Sequence, residues 1–168
     1  MKEEEVATPG PGVRAWVEPP PGRLVGKGHP AGDFLEAWNW EVKEEADGYL
    51  LIDAHLPDRV KNPRGQLFGG FTPTYVDLVA LFTVRAGRRA EWAAQAGAGR
   101  PSWLATTNMR VDYFEPILGP RFVIESRREK KRGRTNFVTT RFLQDGELAV
   151  YAVTTLREVA LDRVIGDA

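Results

Sequence analysis

A glycine-rich turn followed by a single acid, between Asn62 and Asp77, combines residue types that acyl chemistry requires. Gly69 and Gly70 directly precede an apolar segment, and glycine lets a ligand approach the backbone closely. If a helix begins there, its first N–H groups lack acceptors and face outward. Such groups polarise a docked carbonyl and stabilise an oxyanion. Asp77 then supplies a carboxylate about two turns into the helix.

The segment after the glycines has the periodicity of a helix, which we predict over residues 72–87. Apolar side chains recur at steps of three and four residues, at Phe71, Tyr75, Leu78 and Phe82. Pro73 suits the first turn, where its missing N–H costs no hydrogen bond. A diglycine is also a common tight turn, and a lone helical Asp is often only exposed. Spacing alone therefore leaves the function open.

The same segment resembles the signature of the PaaI-like branch of hotdog-fold thioesterases, Asn-x-x-Gly-x-x-His-Gly-Gly with an Asp six or seven residues into the next helix. The sequence matches it in order and spacing at Asn62, Gly65, Gly69, Gly70 and Asp77. Phe68 stands where most relatives carry His. This departure removes any role for an imidazole but leaves the backbone N–H groups and the carboxylate in place.

A second segment, Thr106–Gly119, resembles the strand that follows the central helix in that family, with its trailing Pro116 and Gly119. The looser resemblance runs from about Asp33 to Val159. It implies a hotdog fold, in which a curved antiparallel sheet of about six strands wraps around a long central helix. The pattern of elements alone predicts an α+β domain with an antiparallel sheet.

The resemblance implies hydrolysis of an acyl-coenzyme A thioester. The N–H of Gly69 would hold the thioester carbonyl, and Asp77 would act as general base or as nucleophile. Asn62 would hold the carbonyl or the water. Thr106 falls where relatives carry a Ser or Thr that orients the water, although a Thr is equally suited to a strand.

A basic run, Arg127-Arg-Glu-Lys-Lys-Arg-Gly-Arg134, is the second feature with a chemical interpretation. It is either a solvated hairpin or, given the resemblance, a binding surface for the coenzyme phosphates, which guanidinium groups fit well. We predict substrate contacts at Gly70, Phe68, Arg127, Lys130, Lys131, Arg132 and Arg134. No aromatic residues interleave with the run, which argues against nucleic acid.

The composition predicts one domain without a metal or cofactor. The 168 residues carry 23 basic and 23 acidic side chains, so no bulk polyanion partner is indicated. The absence of cysteine excludes thiolate ligands and a thiol nucleophile. His29 and His55 begin no metal-ligand pattern, and coenzyme A enters only as part of the substrate. Without an apolar run of membrane-spanning length or a signal peptide, we expect a cytoplasmic protein with no membrane partner.

The chain divides into a Pro- and Gly-rich arm, residues 1–30, and a single domain, residues 31–168. Trp16, Val17, Leu24 and Val25 are candidates to anchor the arm. We predict a helix over 33–40 with Asp33 as N-cap, and strands over 41–45 and 49–56 joined at Asp47-Gly48. The stretch after the central helix is predicted to extend it to Gly97.

Four further strands are predicted near the carboxyl end. The first places Trp103, Ala105, Thr107, Met109, Val111 and Tyr113 on one face. The others are marked by Phe122 and Ile124, by residues 137–142 and by residues 148–156, with turns at Gly133 and Asp145-Gly146.

The resemblance also implies a homodimer, often paired into a homotetramer, with an active site that straddles the dimer interface. The main alternative is a hotdog protein that binds acyl-coenzyme A without turnover, as a sensor or assembly subunit, because Phe68 replaces the family's His. A hydratase on the same fold would need a His paired with an Asp, and neither His29 nor His55 is placed for that.

Overall fold

One long helix lies against a six-stranded antiparallel sheet in the computed structural model, which describes residues 19–97 and 102–160. The helices are α1 (Pro30–Phe34), α2 (Thr72–Arg85) and α3 (Arg89–Gly97). The strands are β1 (Glu41–Ala46), β2 (Tyr49–His55), β3 (Ser102–Tyr113), β4 (Arg121–Arg132), β5 (Thr135–Gln144) and β6 (Glu147–Ala160). The predicted α+β class with six strands is confirmed.

The sheet has the strand order β1-β2-β4-β5-β6-β3, so β1 and β3 form its two edges. The hairpin turns lie where the sequence predicts them, at glycines with positive φ: Gly48 at 68°, Gly133 at 58° and Gly146 at 86°. α2 ends at Arg85, and Gly87 (φ 71°) separates it from α3. The predicted continuous extension of the central helix is therefore wrong, because glycine in this conformation breaks a right-handed helix.

An aromatic cluster fixes the position of α2 on the sheet. Tyr75 stacks on Trp40 with ring centroids 5.2 Å apart and also contacts Phe122 and Phe142. Each such buried side chain contributes about 1.5–3 kcal/mol to folding. Because successive helical residues are rotated by about 100°, locking Tyr75 in the core also fixes the direction in which Asp77 leaves the helix.

Three buried hydroxyl groups connect the second half of α2 to the sheet. Thr83 Oγ1 lies 2.8 Å from Ser126 Oγ, which lies 3.1 Å from Thr140 Oγ1. All three side chains are fully buried, and buried hydroxyl groups need such partners to offset the loss of water. The chain of hydroxyl groups therefore resists sliding of the helix along β4 and β5.

The pairing of β3 with β6 shifts by one residue at Thr107. Thr106 lies opposite Leu156 and Asn108 opposite Thr155, so Thr107 is the additional residue of a β-bulge. A bulge reverses the alternation of side chains on the strand that contains it. As a result, Thr106 shares the helix-facing side of the sheet with the buried Leu156.

The predicted face of β3 is therefore wrong before the bulge and right after it. Leu104, not Trp103, is buried, with an exposed fraction of 2% against 38%. Beyond Thr107, Met109 and Val111 pack against the core as predicted. The period of two does not continue through Thr107, because the structure inserts one residue there.

The first helix is Pro30–Phe34 and not residues 33–40. His29 is its cap, because His29 Nδ1 accepts a hydrogen bond of 2.9 Å from the N–H of Gly32. Glu36 has a left-handed backbone (φ 53°), which ends the helical stretch, and a short 3-10 turn at Ala37–Asn39 follows. The predicted N-cap role of Asp33 is wrong, since its carboxylate instead accepts from the N–H of Gly28.

The described part of the predicted arm packs against the domain. Leu24 and Val25 are buried, and the N–H of Val42 donates to the carbonyl of Gly22 at 2.9 Å. Anchoring by Leu24 and Val25 is therefore confirmed, whereas Trp16 and Val17 lie outside the described residues. Within the described ranges, no helix has the length and apolar character needed to cross a membrane.

Candidate active site

The segment before the diglycine is held by two long-range backbone hydrogen bonds. The N–H of Leu67 donates to the carbonyl of Ile117 at 2.8 Å, and the N–H of Phe68 donates to the carbonyl of Val60 at 2.9 Å. Ile117 belongs to the connection between β3 and β4. The position of the turn is therefore set by the sheet as well as by its own sequence.

The N–H groups of Gly69 and Gly70 are open to a ligand. Both residues are exposed, and no acceptor among the described residues takes either N–H. The Phe68 carbonyl accepts from Phe71 at 2.8 Å, and the Gly69 carbonyl accepts from Thr72 at 3.3 Å. In planar trans peptides each N–H points away from the preceding carbonyl, so these two point out of the turn.

No side chain caps α2 at Phe71, so the positive end of the helix dipole is also uncovered. A helix end without a cap leaves its first donors to water or to a ligand. Together with the two glycine amides, this end of α2 has the geometry of an oxyanion-binding turn.

Asp77 and Thr106, predicted from separate segments of the sequence, lie in contact. Thr106 Oγ1 donates a short hydrogen bond of 2.5 Å to Asp77 Oδ1. Asp77 is half-buried and Thr106 is exposed, so the pair lies at the rim where α2 passes the edge strand. The structure thus joins both residues in one site, while their catalytic roles stay predictions.

Asn62 organises the loop that leads to the glycines. Its Oδ1 accepts from the N–H of Arg64 at 2.9 Å and of Gln66 at 3.1 Å, and its Nδ2 donates to Gln66 Oε1 at 3.2 Å. The φ of Gly65 is 78°, which glycine adopts without strain. The role of Asn62 on substrate stays a prediction, and its visible contacts are those of an Asx turn.

The ring of Phe68 lies against Gly70. An added Cβ on Gly70 would be 2.8 Å from Phe68 Cε1, so the ring occupies the space a side chain would need. Phe68 is 50% exposed, and its ring contacts Phe71, which in turn contacts Phe34. Phe34 is itself exposed. An apolar side chain thus borders the open amides, at the position where the thioesterase signature that this segment resembles has His.

Tyr113 is a contact that the sequence analysis did not identify. Its hydroxyl donates to the carbonyl of Gly69 at 2.8 Å, from the far end of β3. Both residues border a cavity of about 270 Å³ between the turn and the β3–β4 connection. In the sequence, only its place in the segment Thr106–Gly119, seven residues after Thr106, indicates a role for Tyr113 in the site.

The predicted basic hairpin forms, but away from the carboxylate. Lys131 of β4 and Thr106 of β3 lie in the same row of paired residues across the sheet, with β5 and β6 between them. Three strand spacings therefore separate them, which is roughly 14 Å. Lys131 Nζ lies 2.7 Å from Glu158, and the guanidinium of Arg127 lies over the ring of Tyr49.

The remaining predicted coenzyme contacts are at the open end of this hairpin. Lys130, Arg132 and Arg134 are exposed and form no ion pair with the described residues. Their charges are thus available to an anion. Their predicted contact with the coenzyme stays a prediction.

The two histidines are engaged away from Asp77. His29 caps α1, and His55 Nε2 lies 3.3 Å from Glu36. Burial lowers the pKa of His29. Among residues 19–97 and 102–160, no three His, Asp or Glu side chains converge as metal ligands would.

Neither a protein-family model nor a curated protein matches the sequence. Its structure is similar to a putative thioesterase, a phenylacetic acid degradation-related protein from Ralstonia eutropha, with a TM-score of 0.62 and 21% identity over 80% of this chain and 92% of that one. Thioesterase superfamily member 2 from zebra fish gives a TM-score of 0.61 and 21% identity over 78% and 88%.

A hypothetical thioesterase from Streptococcus pneumoniae, solved with coenzyme A, gives a TM-score of 0.57 and 16% identity over 73% of this chain and 90% of that one. At such identities the likeness shows the fold alone. The predicted fold is confirmed: the chain has the hotdog fold of structures from the thioesterase superfamily.

Proposed function

We propose that the protein hydrolyses acyl-coenzyme A thioesters to the free acid and coenzyme A. The observation that carries this proposal is the hydrogen bond between Thr106 and Asp77 at the open rim of the sheet. While the threonine holds Oδ1, Asp77 Oδ2 is available to accept a proton from water or to attack the thioester carbon. The thioesterases with the same fold, one of them solved with coenzyme A, support the same class of substrate.

The thioester carbonyl oxygen accepts from the N–H groups of Gly69 and Gly70, which stabilise the negative charge that develops on it. As general base, Asp77 takes a proton from water while the water oxygen bonds to the carbonyl carbon. The C–S bond then breaks, and the thiolate takes that proton. As nucleophile, Asp77 instead forms a mixed anhydride that water hydrolyses. In both routes Thr106 orients the carboxylate, and the remaining amide proton of Asn62 contacts the carbonyl or the water.

The two edges of the sheet indicate where a second copy binds. β1 has six residues, contains a register shift, and exposes Glu41, Lys43, Glu44 and Glu45. β3 has twelve residues, and its charged side chains are Arg110 and Asp112. Both edge strands contain a register shift, but a short and charged edge resists pairing, whereas a long edge with few charges permits it. β3 is therefore the edge at which we place the dimer.

Antiparallel pairing at β3 completes the site. Tyr113, which contacts Gly69, and Thr106, which contacts Asp77, are seven residues or roughly 20 Å apart on this strand. When a second β3 pairs in the antiparallel sense, the Thr106 end of one copy lies beside the Tyr113 end of the other. The amides of one subunit then face the carboxylate of its partner, in a dimer or a pair of dimers.

The coenzyme phosphates bind to the basic hairpin in this proposal. Lys130, Arg132 and Arg134 supply positive charge without a competing carboxylate among the described residues. Arg127 lies on the same face of the sheet as Lys130 and Arg132, whereas Lys131 lies on the opposite face, across from the buried Asn136. Such contacts are equal in the ground and transition states, so they contribute to substrate binding rather than to the chemical step.

The position of Phe68 favours a second candidate, an acyl-coenzyme A-binding protein without turnover. Its half-exposed ring lies directly against Gly70, where it fills the space of a side chain. An apolar ring at this position supplies no proton and no hydrogen bond to an attacking water. Binding would then use the same surface while the thioester bond stays intact.

One experiment separates the two candidates. The unmodified protein and Asp77→Asn are incubated with short, long and aromatic acyl-coenzyme A thioesters, and free thiol is measured. Hydrolysis by the unmodified protein that Asp77→Asn lacks supports the enzyme. Thioester binding by calorimetry without thiol release supports the binding protein. Neither release nor binding across the panel would refute both.

A further inference from the structure

The hydrogen bond between Tyr113 and Gly69 controls a peptide group that the chemistry would use. Tyr113 Oη lies 2.8 Å from the Gly69 carbonyl oxygen, and the ring lies beside the glycine, where an added Cβ would be 3.7 Å from Tyr113 Cε1. The carbonyl of Gly69 and the N–H of Gly70 belong to one planar trans peptide and point in opposite directions. The hydroxyl that holds the carbonyl therefore also sets the direction of the Gly70 N–H.

Little else fixes this peptide. The second donor to the Gly69 carbonyl is the N–H of Thr72 at 3.3 Å, longer than the usual N–H···O distance of about 2.9–3.0 Å. Glycine on both sides leaves the peptide free to rotate. The side chain of Tyr113 is thus the stronger of the two constraints.

The neighbouring peptide is held differently. The Phe68 carbonyl, which belongs to the peptide containing the Gly69 N–H, accepts from the N–H of Phe71 at 2.8 Å. That constraint is made by the backbone alone. Removing the Tyr113 hydroxyl should therefore affect the Gly70 amide and leave the Gly69 amide in place.

We propose that Tyr113 is a positioning residue that orients the N–H of Gly70 toward the substrate carbonyl. The proposal rests on the proposed thioester hydrolysis and adds a residue to it. A hydrogen bond to the carbonyl also polarises the peptide, which makes its N–H a better donor to an oxyanion. The contribution is larger in the transition state, where the negative charge is on the oxygen, than in the bound substrate.

The kinetic test compares Tyr113→Phe with Tyr151→Phe. The first substitution removes the hydroxyl and keeps the ring, and the second removes a hydroxyl from the opposite face of the sheet, on β6. We expect Tyr113→Phe to lower kcat about fivefold with KM unchanged, as the loss of one neutral hydrogen bond predicts. Tyr151→Phe should retain the unmodified kcat, and both variants should keep the unmodified thermal midpoint.

The second readout needs no substrate. In ¹H–¹⁵N spectra, Tyr113→Phe should shift and broaden the Gly70 amide signal more than that of Gly69, because only the Gly70 peptide loses its hydroxyl partner. An unchanged kcat, or a Gly70 signal unchanged from the unmodified protein, would overturn the proposal. If the unmodified protein hydrolyses no thioester, the proposed function fails, while an altered Gly70 signal would still support the ordering of this amide by Tyr113.

Discussion

The two ends of β3 contact two different kinds of chemical group. At one end Thr106 bonds to the carboxylate of Asp77, and at the other Tyr113 bonds to the carbonyl of Gly69. The carboxylate end depends on the identity of one side chain. The amide end uses backbone groups, which every substitution except one to proline leaves chemically intact. The comparison explains how Phe68 can stand where the resembled signature has His without removing the amides that we propose bind the oxyanion.

The carboxylate end should give the largest loss of activity. Asp77→Asn keeps the size of the side chain but cannot accept the proton or attack the carbon, so we expect kcat to fall by about 100-fold or more. Thiol release measures this effect. The thermal midpoint should stay close to that of the unmodified protein, because Asp77 lies at the rim of the helix. A variant that keeps most of its activity would remove Asp77 from the mechanism.

Mixing variants of the two ends tests whether one site uses two subunits. Asn62→Ala disturbs the loop before the glycines, and Asp77→Asn removes the carboxylate. After random exchange of equal amounts, half of the dimers are mixed, and each mixed dimer has one site without either change. About a quarter of all sites should therefore be active. Subunit exchange is verified separately by mass-tagged protomers. A well-exchanged mixture that stays inactive would show that the ends act within one chain.

The hydroxyl of Thr106 should have a smaller effect than the carboxylate it contacts. A hydrogen bond to a charged group contributes about 1.5–3 kcal/mol, so Thr106→Val should lower kcat by roughly tenfold or more. Thr106→Ser is the matched control, because it retains the hydroxyl. If Thr106→Val and Thr106→Ser have the same kcat, the hydroxyl has no role in the reaction and Thr106 is only a residue of the strand.

The basic hairpin, remote from both ends, should give the smallest change. Neutralising Lys130, Arg132 and Arg134 together to Gln should raise KM severalfold with little change in kcat, because these contacts are uniform binding. The difference should fade at 1 M salt, where the Debye length is about 3 Å. A truncated thioester without the nucleotide provides the control. If KM for the full substrate is unchanged at low salt, the charges of the hairpin contact only solvent and do not bind the coenzyme.

The sequence predicted the order of the elements and the residues of the carboxylate end. Local periodicity and turn residues place α2 and the strands, and the family-like spacing singles out Asp77 and Thr106. What it could not predict depends on contacts between distant segments. Tyr113 meets Gly69 only because β3 folds beside the turn, and no local pattern reports that meeting.

The errors have similar causes. The helix predicted from Asp33 fails because His29 makes the cap four residues earlier and Glu36 adopts a left-handed conformation. The predicted alternation of side chains on β3 fails at Thr107, because this residue has no partner in β6. The Asx turn at Asn62 is typical of the sequence Asn-Pro-Arg-Gly, whereas the contact of Asn62 with substrate is implied only by the resemblance.

The bulge at Thr107 has a consequence for insertions and deletions in relatives of this chain. Deleting Thr107 would make the pairing regular, with Thr106 still opposite Leu156 and Asn108 still opposite Thr155, so the segments on both sides of the bulge would keep their faces of the sheet. The length of this segment therefore carries information that a comparison of residue types ignores. An alignment without a gap here, between this chain and a relative that lacks the bulge, would match residues on opposite faces of the strand.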